Sequence, residues 1–491
     1  MTPALDRSTA PFDSLIGACA SDRTGIVHLG LGNFHRAHAA VYTAQAMAAA
    51  GGDWGIRGFA HSSARVVDPM QAQDNLYSVL QLTESGASAG LIDVHRNSGV
   101  ASADPDAVID AISDPAHRIV TLTVSEAGYT RDPTTGDLAV DSPAIAAEIA
   151  GTTTPRSTIG LIARGLSHRA QTGEPMTILS CDNLQSAGDV TRDVVTQYLD
   201  ATGAPSDVVD FVASSVTFPN GMVDRIVPKT TDAHSAKVAE LLGITDLSPV
   251  PAEEFSMWVL EDDFAAGRPS WESAGALFTD EVEAYELVKL RLLNGSHSLI
   301  AYLGILSDAA TIDTAWSLDF VQEAVISGIE HDYLPTINLP TGFDAKAYVS
   351  ALDARWRNPL IGHATTQVAS DGSLKLLQRI PEAALFNLER GTVPHSLALC
   401  TAAWIACVAP PLDFSPGPLA ASIVEPARKS LAEAVCGATT IYDHVHRIID
   451  GGFFPRELAG HDAFTTRVTQ LLTLIISKGP RAAVADISTA R

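Results

Sequence analysis

Hydrophobic positions follow two different patterns along the chain, and the change falls near residue 281. In the first part, short apolar runs are separated by stretches with helical spacing. Residues 25–30 read as a buried strand that runs into Gly30-Leu31-Gly32, and an alanine-rich helical pattern follows through Ala50. Residues 54–60 read as a second strand, and 118–125, rich in β-branched side chains, as a further one. Shorter strands are predicted over 177–180 and 212–218, with helices near 159–171 and 187–201. Strands alternating with helices predict a parallel sheet with helices on its faces. Beyond 281 the periodicity is almost wholly helical, over 281–307, 316–331, 343–357, 395–408, 417–435 and 459–478. The proline-containing stretches 335–342 and 409–418 read as loops. The predicted class is α/β: a polar, loosely structured lead-in over 1–24, an α/β domain over 25–280, and a mostly α-helical domain over 281–491.

Composition narrows the function classes. The 491 residues are 46% hydrophobic and 18% charged, enough for large buried cores in at least two domains. Thirty-two basic against 57 acidic residues leave a net charge of −25, which repels nucleic-acid phosphates and anionic membranes. The expected partner is a small molecule, not nucleic acid or membrane, and no pattern fixes an oligomeric state. Cys19, Cys181, Cys400, Cys407 and Cys436 form no Cys-x-x-Cys pair, so neither a disulfide framework nor a structural zinc site is expected. No signal-peptide pattern opens the chain and no uncharged stretch is long enough for a membrane span, so a cytoplasmic location is expected.

Two stretches carry candidate chemistry. Gly30-x-Gly32 follows a strand and precedes a helix, the context in which the first glycine permits a tight turn and the second lets backbone approach a pyrophosphate. The third glycine of that fingerprint is replaced by His35. The second strand ends in Ala60-His61-Ser62-Ser63-Ala64-Arg65, with no carboxylate for an adenosine ribose; Asp68 is a more distant candidate, and an arginine there suits a 2′-phosphate. The other stretch is Lys289-Leu-Arg-Leu-Leu-Asn294-Gly-Ser-His297. At roughly 100° per residue Asn294 lies about 140° and His297 about 80° from Lys289, so one broad helix face holds all three. A lysine among apolar side chains loses solvation and becomes a usable proton acceptor. The same residues also suit a surface lysine, a capping asparagine and a core histidine.

Six co-linear motifs tie the chain to a family. Gly30-Leu-Gly-Asn-Phe-His-Arg-Ala-His38 resembles the glycine-turn motif of the mannitol dehydrogenase family, the polyol-specific long-chain dehydrogenases. The resemblance recurs at Thr121-Leu-Thr-Val-Ser-Glu-Ala-Gly-Tyr129, Ser180-Cys-Asp-Asn183, Phe218-Pro-Asn-Gly-Met-Val-Asp-Arg225, Trp258-Val-Leu-Glu-Asp-Asp-Phe-Ala-Ala-Gly-Arg-Pro269 and Lys289 to Ser298. Order and spacing hold from residue 25 to about 380. The resemblance implies a Rossmann-type N-terminal domain, a helical C-terminal domain, an active site between them, and zinc-independent hydride transfer with NAD, NADP being the alternative. It implies that Gly30, Leu31, Gly32, Asn33 and Phe34 bind the cofactor and that Lys289 is the general acid and base. Asn183 and Asn294 would polarise the substrate oxygen, and His297 would bind substrate. Asp224, Gln367 and Lys375 match further substrate positions, and Glu126 matches a proton-relay acid.

The chain departs from the mannitol 2-dehydrogenase pattern at Gln367, eight residues before Lys375, where those enzymes often have arginine. Gln367 resembles the fructuronate reductase branch and other polyol dehydrogenases. The expected reaction is interconversion of a linear polyol and its 2-ketose, with fructuronate reductase or D-arabinitol dehydrogenase as alternatives. A catalytically silent dinucleotide-binding sensor is the alternative of a different class.

Overall fold

A computed structural model describes residues 2–19, 21–132 and 135–490. The chain forms two compact units, Met1–Glu283 and Ala284–Arg491.

The first unit is built on a six-stranded parallel sheet. Its strands are β1 (Thr24–Leu29), β2 (Gly55–Ala60), β5 (His95–Val100), β6 (Ile119–Leu122), β7 (Met176–Ser180) and β8 (Val216–Thr217). They are arranged in the order β5-β2-β1-β6-β7-β8. Numbered within this sheet, that order is 3-2-1-4-5-6, the doubly wound dinucleotide-binding arrangement. Both faces are buried, as the sequence of β1 requires: Ile26 joins one apolar cluster, while Val27 and Leu29 join the other. The Ala39–Ala50 helix packs in the first cluster and the Pro105–Ser113, Thr158–Arg169 and Ala187–Ala201 helices in the second. Two three-stranded sheets, which hydrophobic patterning did not reveal, complete the unit. One holds β3 (Tyr77–Thr83), β4 (Gly86–Ile92) and β10 (Val250–Glu253), and the other β9 (Gly221–Asp224), β11 (Met257–Leu260) and β12 (Leu277–Phe278).

Four expectations need correction. The stretch 212–218 is not a strand: a helix runs over Ser206–Ser215, and only Val216 and Thr217 pair with β7. Val208, Phe211 and Val212 are its buried residues, and their i, i+3, i+4 spacing is helical. The helix after Gly32 breaks at His38, whose Nε2 lies 3.1 Å from the Met257 carbonyl oxygen and whose ring packs on Trp258. The stretch 417–435 divides into Pro418–Ala421 and Arg428–Ala434 helices, because Pro426 has no N–H to continue a helical ladder. The lead-in is fastened in place: Leu5 is buried with Leu76, Leu91 and Ile244, and Arg7 donates twice to Asp93.

The second unit is helical. At its centre the Ser296–Ile305 and His395–Val408 helices pack together, the first buried at every position and the second at every position from Ser396. Helices apolar on all sides belong to cores. Among the described residues no helix is long and apolar enough to cross a membrane.

Candidate active site

The glycine turn lies at the switch point of the sheet, past the ends of β1 and β6, where α/β sheets place their ligands. Gly30 has φ +99°, and a Cβ there would lie 2.1 Å from the Thr123 carbonyl oxygen, so backbone and packing both require glycine. Gly30 N and Leu31 N donate to Phe59 O at 2.8 and 2.9 Å, fixing the turn to the end of β2. Gly32 differs: its φ is −133°, and a Cβ would meet only Gly30 O, at 3.5 Å. The protein's own packing does not demand glycine at 32, whereas a pyrophosphate brought against the backbone would, so the turn fits a dinucleotide. Asn33 is held from both sides, its Oδ1 accepting from Arg36 at 2.7 Å and its Nδ2 donating to Thr230 at 3.3 Å. Phe34 stacks on His38, and Leu31 is buried.

His35, in place of the third glycine, is buried and stacked on His28 with ring centroids 3.3 Å apart. Its Nε2 lies 3.1 Å from Nε2 of His95. Thr123 Oγ1 donates to Gly30 O at 2.8 Å. His28 Nε2, 3.1 Å from Thr123 Oγ1, therefore donates to that hydroxyl oxygen, and His28 Nδ1 accepts from the Thr121 hydroxyl at 2.9 Å. Burial pushes His28 down to about 3. Burial and the neighbouring imidazoles hold His35 and His95 well below the ordinary range, so all three rings are neutral.

Asp182 organises the next two strand ends. Its carboxylate accepts from Val124 N (2.9 Å), Ser125 N (3.0 Å) and the Tyr129 hydroxyl (2.8 Å). The short Ser125–Gly128 helix carrying Glu126 is thereby tied to the loop carrying Asn183, and both of these side chains are exposed. Sequence reading gave Asp182 no role of its own. Its position next to Asn183 was the available signal. Asp224 is buried at the end of β9, opposite Met257.

In the second unit, Lys289–Gly295 is a π-helix running straight into the Ser296–Ile305 helix. This corrects the angles expected for an α-helix. A π turn closes with i→i+5 hydrogen bonds, so Asn294 returns close to the face of Lys289. Lys289 is 9% exposed. His297 is 8% exposed, and its Nε2 is buried without a hydrogen-bond partner. Its ring stands 5.8 Å from His363 and 6.1 Å from Trp356. Burial, then His363, Arg355, Arg379 and Lys375, push His297 well below the usual histidine range. Burial, then Lys375 and Arg355, bring His363 to about 4. Lys375, on the Gly372–Arg379 helix, is lowered by burial and by Arg379 one turn on, and its Nζ donates to Val368 O at 3.3 Å. Arg379 Nη1 donates to Asn294 O (2.9 Å) and Ser298 Oγ (2.7 Å), bracing the junction of the π and α segments. Gln367 is exposed on the Thr365–Ala369 helix. Sequence reading missed Arg379, signalled by its i+4 spacing from Lys375, and His363, which no local pattern marks. Among the described residues no group of three or more His, Cys, Asp or Glu side chains is placed to hold a metal ion.

Known proteins resemble the chain along most of its length. The sequence model of the mannitol dehydrogenase Rossmann domain matches residues 24–273, and that of the mannitol dehydrogenase C-terminal domain matches residues 281–413. Mannitol 2-dehydrogenase of Cereibacter sphaeroides is 38% identical over 77% of this chain and 80% of that protein. D-mannonate oxidoreductase of Escherichia coli (strain K12) is 36% identical over 77% of this chain and 79% of that protein. Among solved structures, Pseudomonas fluorescens mannitol 2-dehydrogenase in ternary complex with NAD and D-mannitol superposes with a TM-score of 0.85. It is 28% identical, and the match covers 99% of this chain and 100% of that one.

Proposed function

The chain belongs to the mannitol dehydrogenase family of oxidoreductases, and from that premise we propose that it interconverts a linear polyol and its 2-ketose, with Lys289 as general acid and base. The observation that carries this reading is the π-helix, which gathers a buried lysine and an amide five residues on. A bound nicotinamide dinucleotide, seated on the backbone of Gly30, Leu31, Gly32, Asn33 and Phe34, supplies the hydride acceptor in oxidation and the donor in reduction.

In oxidation the neutral amine of Lys289 takes the proton of the reacting hydroxyl, and in reduction its ammonium form returns it. Negative charge gathers on that oxygen as the C–H bond breaks. The amides of Asn183 and Asn294 donate to it, stabilising the charge without competing for the proton. Neutral His297, with Nε2 unpaired, holds a neighbouring hydroxyl and so selects the carbon that reacts. Asp224, Gln367 and Lys375 hold the remainder of the substrate, and Glu126 passes protons between Lys289 and water. In this reading no metal is needed, because Lys289 carries the proton and the two amides stabilise the charged oxygen. Five unpaired cysteines suit a reducing compartment such as the cytoplasm.

A second reading, reduction of fructuronate, is favoured by the cations Lys375, Arg379 and Arg355 around His297 and His363, a field that suits a carboxylate. The test is a spectrophotometric screen of NADH and NADPH oxidation against fructose, xylulose and fructuronate. Turnover of a neutral ketose supports the polyol reading, and turnover of fructuronate alone supports the second. Saturable dinucleotide binding with no turnover of any of them would leave a silent sensor.

A further inference from the structure

The end of β2 carries the groups that tell the two nicotinamide dinucleotides apart. In this sheet arrangement the adenosine ribose lies just past the second strand. A carboxylate there pairs with the ribose hydroxyls and repels a 2′-phosphate, whereas an arginine accepts the phosphate. Here β2 is fixed beside the glycine turn, since Phe59 O receives both Gly30 N and Leu31 N. Pairing to the neighbouring strand end continues through Ala101 N to Ala60 O (2.8 Å) and Ser102 N to His61 O (2.9 Å), so the chain leaves the sheet at Ser62.

The loop beyond this strand end is cationic and hydroxylic. No Asp or Glu occurs from Ala60 to Val67, in a chain with 57 acidic residues. The nearest carboxylate along the chain, Asp68, falls in the first turn of the Val67–Ala72 helix. Asp104, past the end of β5, is engaged as the cap of the Pro105–Ser113 helix, accepting from Ala107 N at 3.0 Å. His61, Ser62 and Ser63 are exposed, and Arg65 is exposed beside them. Ser63 Oγ accepts from Arg65 N at 3.3 Å, folding the loop into a local turn. Arg65 enters no ion pair among the described residues, while Arg96, Arg268 and Arg291 are all committed to carboxylates. Against a net charge of −25, a doubly charged 2′-phosphate needs a local cation, and Arg65 is the one at this strand end.

We propose that the protein selects NADP(H) over NAD(H), with Arg65 donating to the 2′-phosphate and the hydroxyls of Ser62 and Ser63 completing its shell. This rests on the reading of the glycine turn as a nicotinamide dinucleotide site. The test is calorimetric titration of the full-length protein with NADP+ and NAD+. Wild type is expected to bind NADP+ roughly tenfold to a hundredfold more tightly, the range for one or two charge-assisted hydrogen bonds. Arg65→Ala is expected to remove that margin by weakening NADP+ while leaving the NAD+ Kd unchanged. Arg65→Lys restores part of it, and Ser62→Asp reverses the preference by restoring a ribose acid. Tighter binding of NAD+ by wild type, or an equal effect of Arg65→Ala on both dinucleotides, overturns the selectivity and leaves the site reading intact. Binding of neither overturns both.

Discussion

A lysine amine works as a base only where its ammonium form is poorly solvated, and a buried lysine on a helix has few ways to recover the lost water. Lys289 is 9% exposed and opens the π-helical segment that also carries Asn294. If the Asn294 amide serves charge that develops only as hydride moves, Asn294→Ala should lower kcat by about 10²- to 10³-fold. The dinucleotide Kd should stay unchanged, as stopped-flow turnover and calorimetry would show together. Removal of an amide with merely structural importance would instead lower the melting temperature along with kcat. At this scale the sequence was most informative where the chemistry is contiguous: Lys289, Asn294 and His297 lie within nine residues, and Gly30 and Gly32 within three. His363 could not be read in the same way, because only folding brings the segment before the Thr365–Ala369 helix to His297.

Elements succeed or fail on how much of their stability is local. The strands β1, β2, β6 and β7 announce themselves by short, mostly apolar and buried runs, broken only by single polar residues such as His28, Arg57 and Thr121. The Ser206–Ser215 helix was misread because its apolar residues are as β-branched as those of a strand, and only their spacing separates the two. The π-helix has no period of its own over seven residues, so a sequence with helical spacing conceals it. In the glycine turn, Gly30→Ala should cost about 2 kcal/mol or more through its positive φ and the Thr123 carbonyl. Gly32→Ala, whose Cβ would make only an ordinary contact with Gly30 O at 3.5 Å, should leave the melting temperature alone and weaken the dinucleotide instead. Equal melting losses for the two would remove the argument that a ligand keeps residue 32 a glycine. Beneath this turn, His28, His35 and His95 are neutral in the fold, and each gains a proton near pH 6.5 once unfolded. The unfolded chain then binds more protons, so stability falls as pH drops below about 6.5 toward the folded value of about 3 for His28. The slope is about 1.4 kcal/mol per pH unit for each such histidine, measurable by urea titration between pH 7 and 5. A flat profile over that range would show that the rings are charged in the fold.

At the level of the whole molecule, the chain has two compact units: the first holds the parallel sheet with its glycine turn, and the second is helical and holds Lys289. The parallel sheet follows from the alternation of strands and helices, but the two small mixed sheets do not, since their pairings join residues as far apart as Val79 and Val250. Proton transfer through Lys289 implies that exhaustive dialysis against a chelator leaves kcat unchanged. A loss restored by added zinc would replace the lysine with a metal in the mechanism. The most direct measurement is kcat of Lys289→Ala at saturating dinucleotide and substrate, with the dinucleotide Kd measured on the same sample. Loss of a general acid and base predicts a drop of about 10²- to 10⁴-fold with Kd unchanged. Turnover equal to wild type would contradict the account at its centre.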